Sequence, residues 1–228
     1  MDLMAPVRPR RQQIASATTE FLRDIHSHLP DDPTHVSRNI QIVTLLSEHD
    51  GTLRHAFLSE NCVSVVTKLL VKLTARHPSE ISEEVDRHGA AVQAALWNLY
   101  LMLNYGDTTA WMIQALDAKL LLALLRCEPW LPYLAGNEED CFYWLLTDKL
   151  PGYTVYRSVL LVMASSWTSI VQSQMHLNRF SNDSVWTDSW GVFVSRLRSQ
   201  LELLSSAPQP RSAVRKEPVA ISTNAVGV

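Results

Sequence analysis

The sequence predicts an all-α fold built as a short helical solenoid. Three observations predict it: apolar residues recur at helical spacing along most of the chain, no segment alternates as a strand does, and two segments repeat one grammar at a fixed offset. The composition agrees. Of 228 residues, 46% are hydrophobic and only 19% charged, against about 25% charged in an average domain. That apolar content excludes a wholly disordered chain, and seven glycines exclude a collagen-like one. The length fits one domain, or two small ones, with a core large enough to need no staples.

Residues 1–11 are rich in Pro and Arg and read as a disordered N-terminus. The helical domain spans 12–205. Its first helix, Gln12 to Leu29, places Ile14, Phe21, Leu22, Ile25 and Leu29 on one stripe and stops at Pro30. Asp32 as N-cap and Pro33 at the first helical position start the second helix, which runs to about Asp50. Gly51 breaks the pattern; a short turn of helix follows at Leu53 to Leu58, then a stripe of Val63, Val66, Leu70 and Leu73. Residues 74–88 are polar and acidic and read as an exposed connection. From Ala90 to Asn104 the pattern Val92, Leu96, Leu99, Leu103, with small alanines between, marks a closely packed helix. Thr108 to Arg126 is helical again, and Pro129, Pro132 and Gly136 mark a loop. Asn137 and Asp140 resemble a cap for Cys141 to Leu150; Val155 to His176 and Ser184 to Leu204 supply the last helices. Residues 206–228 lack apolar periodicity and read as a disordered tail.

Superposing Gly51 on Gly106, an offset of 55, aligns apolar helix, Gly, short turn and longer apolar helix in both segments. Phe57-Leu58 then falls on Met112-Ile113, Val65-Val66 on Leu120-Leu121, and Leu69-Leu70 on Leu124-Leu125. Helical units of this kind stack because none buries its apolar face alone. The segment Ala94-Ala95-Leu96-Trp97-Asn98-Leu99, followed by Gly106-Asp107 and by Ala115-Leu116-Asp117-Ala118-Lys119-Leu120-Leu121, resembles the passage from the third helix of one armadillo repeat into the next repeat. The chain also resembles, more loosely, the helical segment beside MYND zinc fingers in fungal proteins; the paired Cys-x-x-Cys steps of the finger itself are absent. The resemblance covers about residues 33–176. It implies an armadillo/HEAT-like right-handed solenoid whose curved face binds another protein. Leu101 and Lys119 depart from it, standing where the family's peptide-clamping Asn and its usual Gly fall.

A net charge of −3 provides no global field to gather nucleic acid or an anionic membrane. No stretch reaches the ~18 uncharged apolar residues of a membrane span; the longest, Tyr153 to Val171, is broken by Arg157 and a Ser/Thr cluster. Cys62, Cys127 and Cys141 are odd in number and widely spaced, which reads as free thiols in a reducing compartment, cytoplasmic or nuclear. The glycines never fall within ten residues of one another, so phosphate-cradling loops are excluded. His26 and His28, two apart, point to different faces and cannot jointly hold a metal. No His-Glu-x-x-His, Gly-x-Ser-x-Gly or Cys-x-x-Cys is present.

The chain therefore reads as a non-enzymatic scaffold without cofactor or metal, binding a protein or peptide partner. Two alternatives stay open: an α-helical enzyme with a site around His49, Asp50 and His55, and a truncated relative of a MYND zinc-finger regulator. Asn98, Asn104 and Trp111, near the repeat junction, and Trp130 in Glu-Pro-Trp-Leu-Pro are the partner-binding candidates. Among the seven Trp, those at 97, 111 and 144 lie within apolar helices and read as core, whereas Trp130, Trp186 and Trp190 read as contact-surface anchors. Glu80, Glu83, Glu84 and Asp86 form an acidic run able to dock a basic partner, and Arg8, Arg10 and Arg11 a weak localisation patch. So few repeats leave apolar ends that need capping or self-association, which allows a homodimer.

Overall fold

The computed structural model describes residues 7–27, 33–81, 84–105, 108–134, 137–172 and 184–206. The proposed Asp32 cap, the Gly106-Asp107 step and the tail 207–228 lie outside the described residues. Among those described, every regular element is helical and no strand occurs. The α-helices are α1 (Val7–Ser27), α2 (Pro33–His49), α3 (Gly51–Ser59), α4 (Cys62–Leu73), α5 (Val85–Asn104), α6 (Thr108–Asp117), α7 (Leu120–Arg126), α8 (Asn137–Trp144), α9 (Leu150–Tyr153), α10 (Arg157–Gln172) and α11 (Ser184–Ser206).

Helix α1 starts at Val7, inside the segment read as disordered. Pro9 is tolerated there because the first backbone N–H groups of a helix have no partner within it. The break between α2 and α3 is made by Asp50 rather than by Gly51. Its carboxylate accepts from the backbone N–H of Thr52 at 2.9 Å and of Leu53 at 3.2 Å, capping α3, and Arg11 pairs with it at 2.8 Å. Among the described residues of the connection 74–88, a single 3-10 turn, Pro78–Glu80, precedes α5, which begins inside it at Val85, and Thr74, Pro78 and His88 are buried rather than exposed. His77 accepts from the Ser79 backbone N–H, and Glu80 reaches back to the His77 N–H. The helix expected over Thr108 to Arg126 is two helices, because Lys119 adopts φ 74° and ψ 39° and turns the chain between them. The loop expected after Pro129 is a six-residue 3-10 turn, Glu128–Tyr133.

Between α8 and α9 the helix widens. Residues Leu145–Lys149 form a π turn in which the Leu150 N–H donates to the carbonyl of Leu145, five residues back. Pro151 follows directly. A proline has no N–H to give and its ring crowds the carbonyl four residues earlier, so regular α-helix is disfavoured through this point.

Helix α2 lies along α5 and α5 along α8, while α1 meets α4, α4 meets α7, and α10 meets α6 and α7. A buried relay joins the first pair: Asn98 Nδ2 donates to Thr44 Oγ1 at 2.9 Å, and that hydroxyl donates to the Ile40 carbonyl at 2.8 Å. The α3–α4 and α6–α7 junctions are built alike. The Asn61 N–H donates to Leu58 and the Lys119 N–H to Leu116, both at 2.9 Å. Asn61, with φ 60°, and Lys119 are the only described non-glycine residues at positive φ. Each of those two carbonyls also receives a side chain from the next helix in the series. Gln114 of α6 donates to Leu58 at 3.0 Å, and Ser166 of α10 donates to Leu116 at 3.3 Å. The structural offset at this junction is therefore 119 − 61 = 58, three residues longer than the sequence superposition places it. At that offset Val65 aligns with Ala123, and Val66 with Leu124, rather than with Leu120 and Leu121.

Candidate functional site

Helix α5 is the most enclosed long helix, and from His88 onward its exposure is confined to one narrow stripe. From His88 to Leu103 every residue is buried except Ala90, Gln93, Trp97 and Tyr100. These positions, with exposed Asn104, recur at steps of three and four, so they lie on a single face. Two of them are aromatic. The rings of Trp97 and Tyr100 stack at 5.4 Å, and Tyr100 meets the edge of Trp144 on α8 at 4.5 Å. Lys149 stands over the Trp144 ring at 4.1 Å, closing a half-buried ladder of three rings and a cation across two helices. Beyond Asn104, Tyr105 is 42% exposed with the Arg54 guanidinium 4.5 Å above its ring.

The sequence candidates divide against this surface. Asn104 lies on it. Asn98, Trp111 and Trp130 are all 0% exposed, so they offer no atom to a partner and belong to the core. Asn98 is consumed in the relay to Thr44. Trp111 packs inside α6 with the His55 ring at 6.1 Å. Trp130 is folded inward by its 3-10 turn and stacks on His88 at 4.8 Å. The reading of the other tryptophans is inverted too. Trp186 and Trp190, read as anchors, are 1% and 5% exposed and stack on each other at 5.7 Å. Trp97 and Trp144, read as core, are the half-buried ones.

The groups considered for catalysis do not form a site. His49 and His55 are exposed, and no hydrogen bond joins either to Asp50 among the described residues. The Asp50 carboxyl is held below the usual carboxylate range, first by the Thr52 hydroxyl and further by the N–H groups it caps and by Arg11. All three cysteines are free and buried. Burial pushes the Cys62 thiol up to about 12 and the Cys127 thiol further still, so neither is an active nucleophile. Among the described residues no group of three or more His, Cys, Asp or Glu could hold a metal ion, and no helix is long and apolar enough to cross a membrane. In the acidic run, Glu80 is spent on its turn, Glu84 is half-buried ahead of α5, and Glu83 lies outside the described residues.

Comparison of the chain with protein-family models, with curated proteins and with solved structures returns no match to any of the three.

Proposed function

We propose that the chain is a short armadillo-like helical solenoid, without catalytic activity, that binds a protein partner through the open stripe of α5. The solenoid reading is supported by the repeated junction, where Leu58 and Leu116 each accept one hydrogen bond from their own turn and one from the next unit. In this reading α1 is the last helix of an incomplete unit, α2 to α4 and α5 to α7 are two full units, and α8 to α11 form a third. The observation that carries the binding function is the half-buried ladder of Trp97, Tyr100 and Trp144 on the one face that α5 leaves open. Rigid aromatic rings held by their neighbours lose little entropy on contact, and such rings dominate the energetics of protein interfaces. The three buried free thiols support a reducing compartment, cytoplasmic or nuclear.

The test is affinity purification of the tagged chain beside the double variant Gln93→Arg, Asn104→Arg. Both positions reach solvent, so circular dichroism should confirm an unchanged helix content. A partner present with the wild type and lost from the folded variant is the expected result. A partner held equally by both would remove the stripe as the binding face.

A further inference from the structure

We infer that the outer face of α1 is a self-association surface, and that its occupant is α1 of a second copy of the chain, lying antiparallel across it. Helix α1 packs on α2, α3 and α4, and it buries Ala15, Thr19, Leu22 and Ile25. Ile14 and Phe21, which periodicity groups with Leu22 and Ile25, turn the other way and are 44% and 50% exposed. Exposed Arg10, Gln13, Ala17, Glu20 and Asp24 share that outer side. These positions recur at steps of three and four, so they form one continuous face.

The order of residues on that face names the occupant. A two-fold axis beside Ala17 sets each position of one helix against the position about equally far beyond Ala17 on the other. Arg10 and Asp24 stand seven residues to either side, about 10 Å along the helix, so each Arg10 meets the Asp24 of the second copy. Ile14 and Phe21, three before and four after, lie on one flank of Ala17, and each Ile14 packs on the other copy's Phe21. Gln13 and Glu20, four before and three after, lie on the opposite flank and set an amide donor against a carboxylate. Ala17 meets itself, and its small side chain lets the axes approach to about 8 Å, the near end of the range for packed helices. Each position thus finds its complement in an identical face. A parallel pair would set Arg10 on Arg10 and Asp24 on Asp24, so charge selects the antiparallel order. Arg10, Gln13 and Glu20 make no hydrogen bond or ion pair to another described residue. Asp24 has an interaction within its own chain, and a carboxylate has acceptor sites for more than one donor.

The experiment is sedimentation velocity on the full chain from about 1 to 300 μM, the range in which small interfaces associate. The wild type should move toward twice the monomer mass as concentration rises. Phe21→Glu should raise the dimer dissociation constant at least about tenfold, and Arg10→Asp about tenfold, by setting carboxylates against each other at both ends. The double variant Arg10→Asp, Asp24→Arg should recover most of that loss. These positions are exposed, so the variants should keep the wild-type circular dichroism. Crosslinking reads the register. Under a mild oxidant Ala17→Cys should form a disulfide between copies, whereas Arg10→Cys should not, because the antiparallel order holds those two positions about 20 Å apart. The native thiols are buried and stay out of this reaction. A chain that remains monomeric throughout, a dimer of unchanged strength in folded Phe21→Glu, or equal crosslinking from positions 10 and 17 would each overturn the proposal. The Gln93→Arg, Asn104→Arg chain should dimerise as the wild type does, so failure of the α5 stripe and failure of this surface are read separately.

Discussion

His88 is held neutral by its surroundings. The ring is buried against Trp130, and its Nε2, 2.8 Å from the Leu73 carbonyl, donates a hydrogen bond to it. Burial is the main reason its pKa lies below the usual 6.5; Arg76 adds to the effect, while the Leu73 bond and Glu84 oppose it. His26 is shifted the same way, by burial and then by Lys72 and Lys68. The unfolded chain therefore takes up protons before the folded one does. Stability is full above about pH 6.5 and falls as pH drops from there toward the lowered folded values. The urea midpoint should be lower at pH 5.5 than at pH 7.5. His88→Gln should shrink that difference while costing about 1 kcal/mol at pH 7.5 from the lost contact. Lys119 behaves oppositely under substitution: Lys119→Gly relieves the left-handed backbone and should stabilise the chain by about 1 kcal/mol in denaturant melts. Which tryptophan faces solvent was not legible at this scale. Trp97 sits between Leu96 and Asn98 in an apolar run, and only the packing of α2 and α8 on either side decides that position 97 stays open and position 98 closes.

Most helices could be read from periodicity, since a stripe such as Val63, Val66, Leu70, Leu73 has one physical solution in a packed chain. The likeness of the α3–α4 and α6–α7 junctions was not legible in register. A slip of three residues is nearly one helical turn, so offsets of 55 and 58 keep almost the same apolar phase. Hydrogen bonds to Leu58 and Leu116 distinguish the two offsets, and sequence does not display them. The split at Lys119 was only partly hidden: lysine is a good helix former, but it stands where the armadillo resemblance places Gly, the residue that a positive φ favours. Helix α5 shows how little space such packing leaves. A Cβ added at Gly89 would stand 3.0 Å from Tyr133 Cβ and 3.2 Å from the Tyr133 carbonyl oxygen. Gly89→Ala must push the 3-10 turn away from α5 and should cost about 1–3 kcal/mol, measured by chemical denaturation.

Across the whole molecule one apolar cluster runs from Ala15 on α1 to Leu197 on α11, so the described helices share a single core. Cys62 and Cys127 belong to it, and Cys141 is buried outside it at 3% exposed. A thiol reagent should therefore label none of them in the native chain at neutral pH and all three in urea. Fast labelling of the native chain would indicate local opening around α4 or α7. The all-α class, with no strand among the described residues, follows from composition and periodicity. The candidate binding face does not, because it is defined by what neighbouring helices leave uncovered. The π turn at Leu145–Lys149 bears on how the chain tolerates change in length. It fits one residue more than an α-helix would between the same ends. Deleting exposed Thr147 would leave the phase of everything downstream as it is, with Leu150 and Tyr153 still in the core, because the wide turn already absorbs the extra residue; the cost is that Pro151 is forced into regular winding, about 3 kcal/mol. The extra residue is slack taken up by the proline, not a shift handed on to α9 to α11.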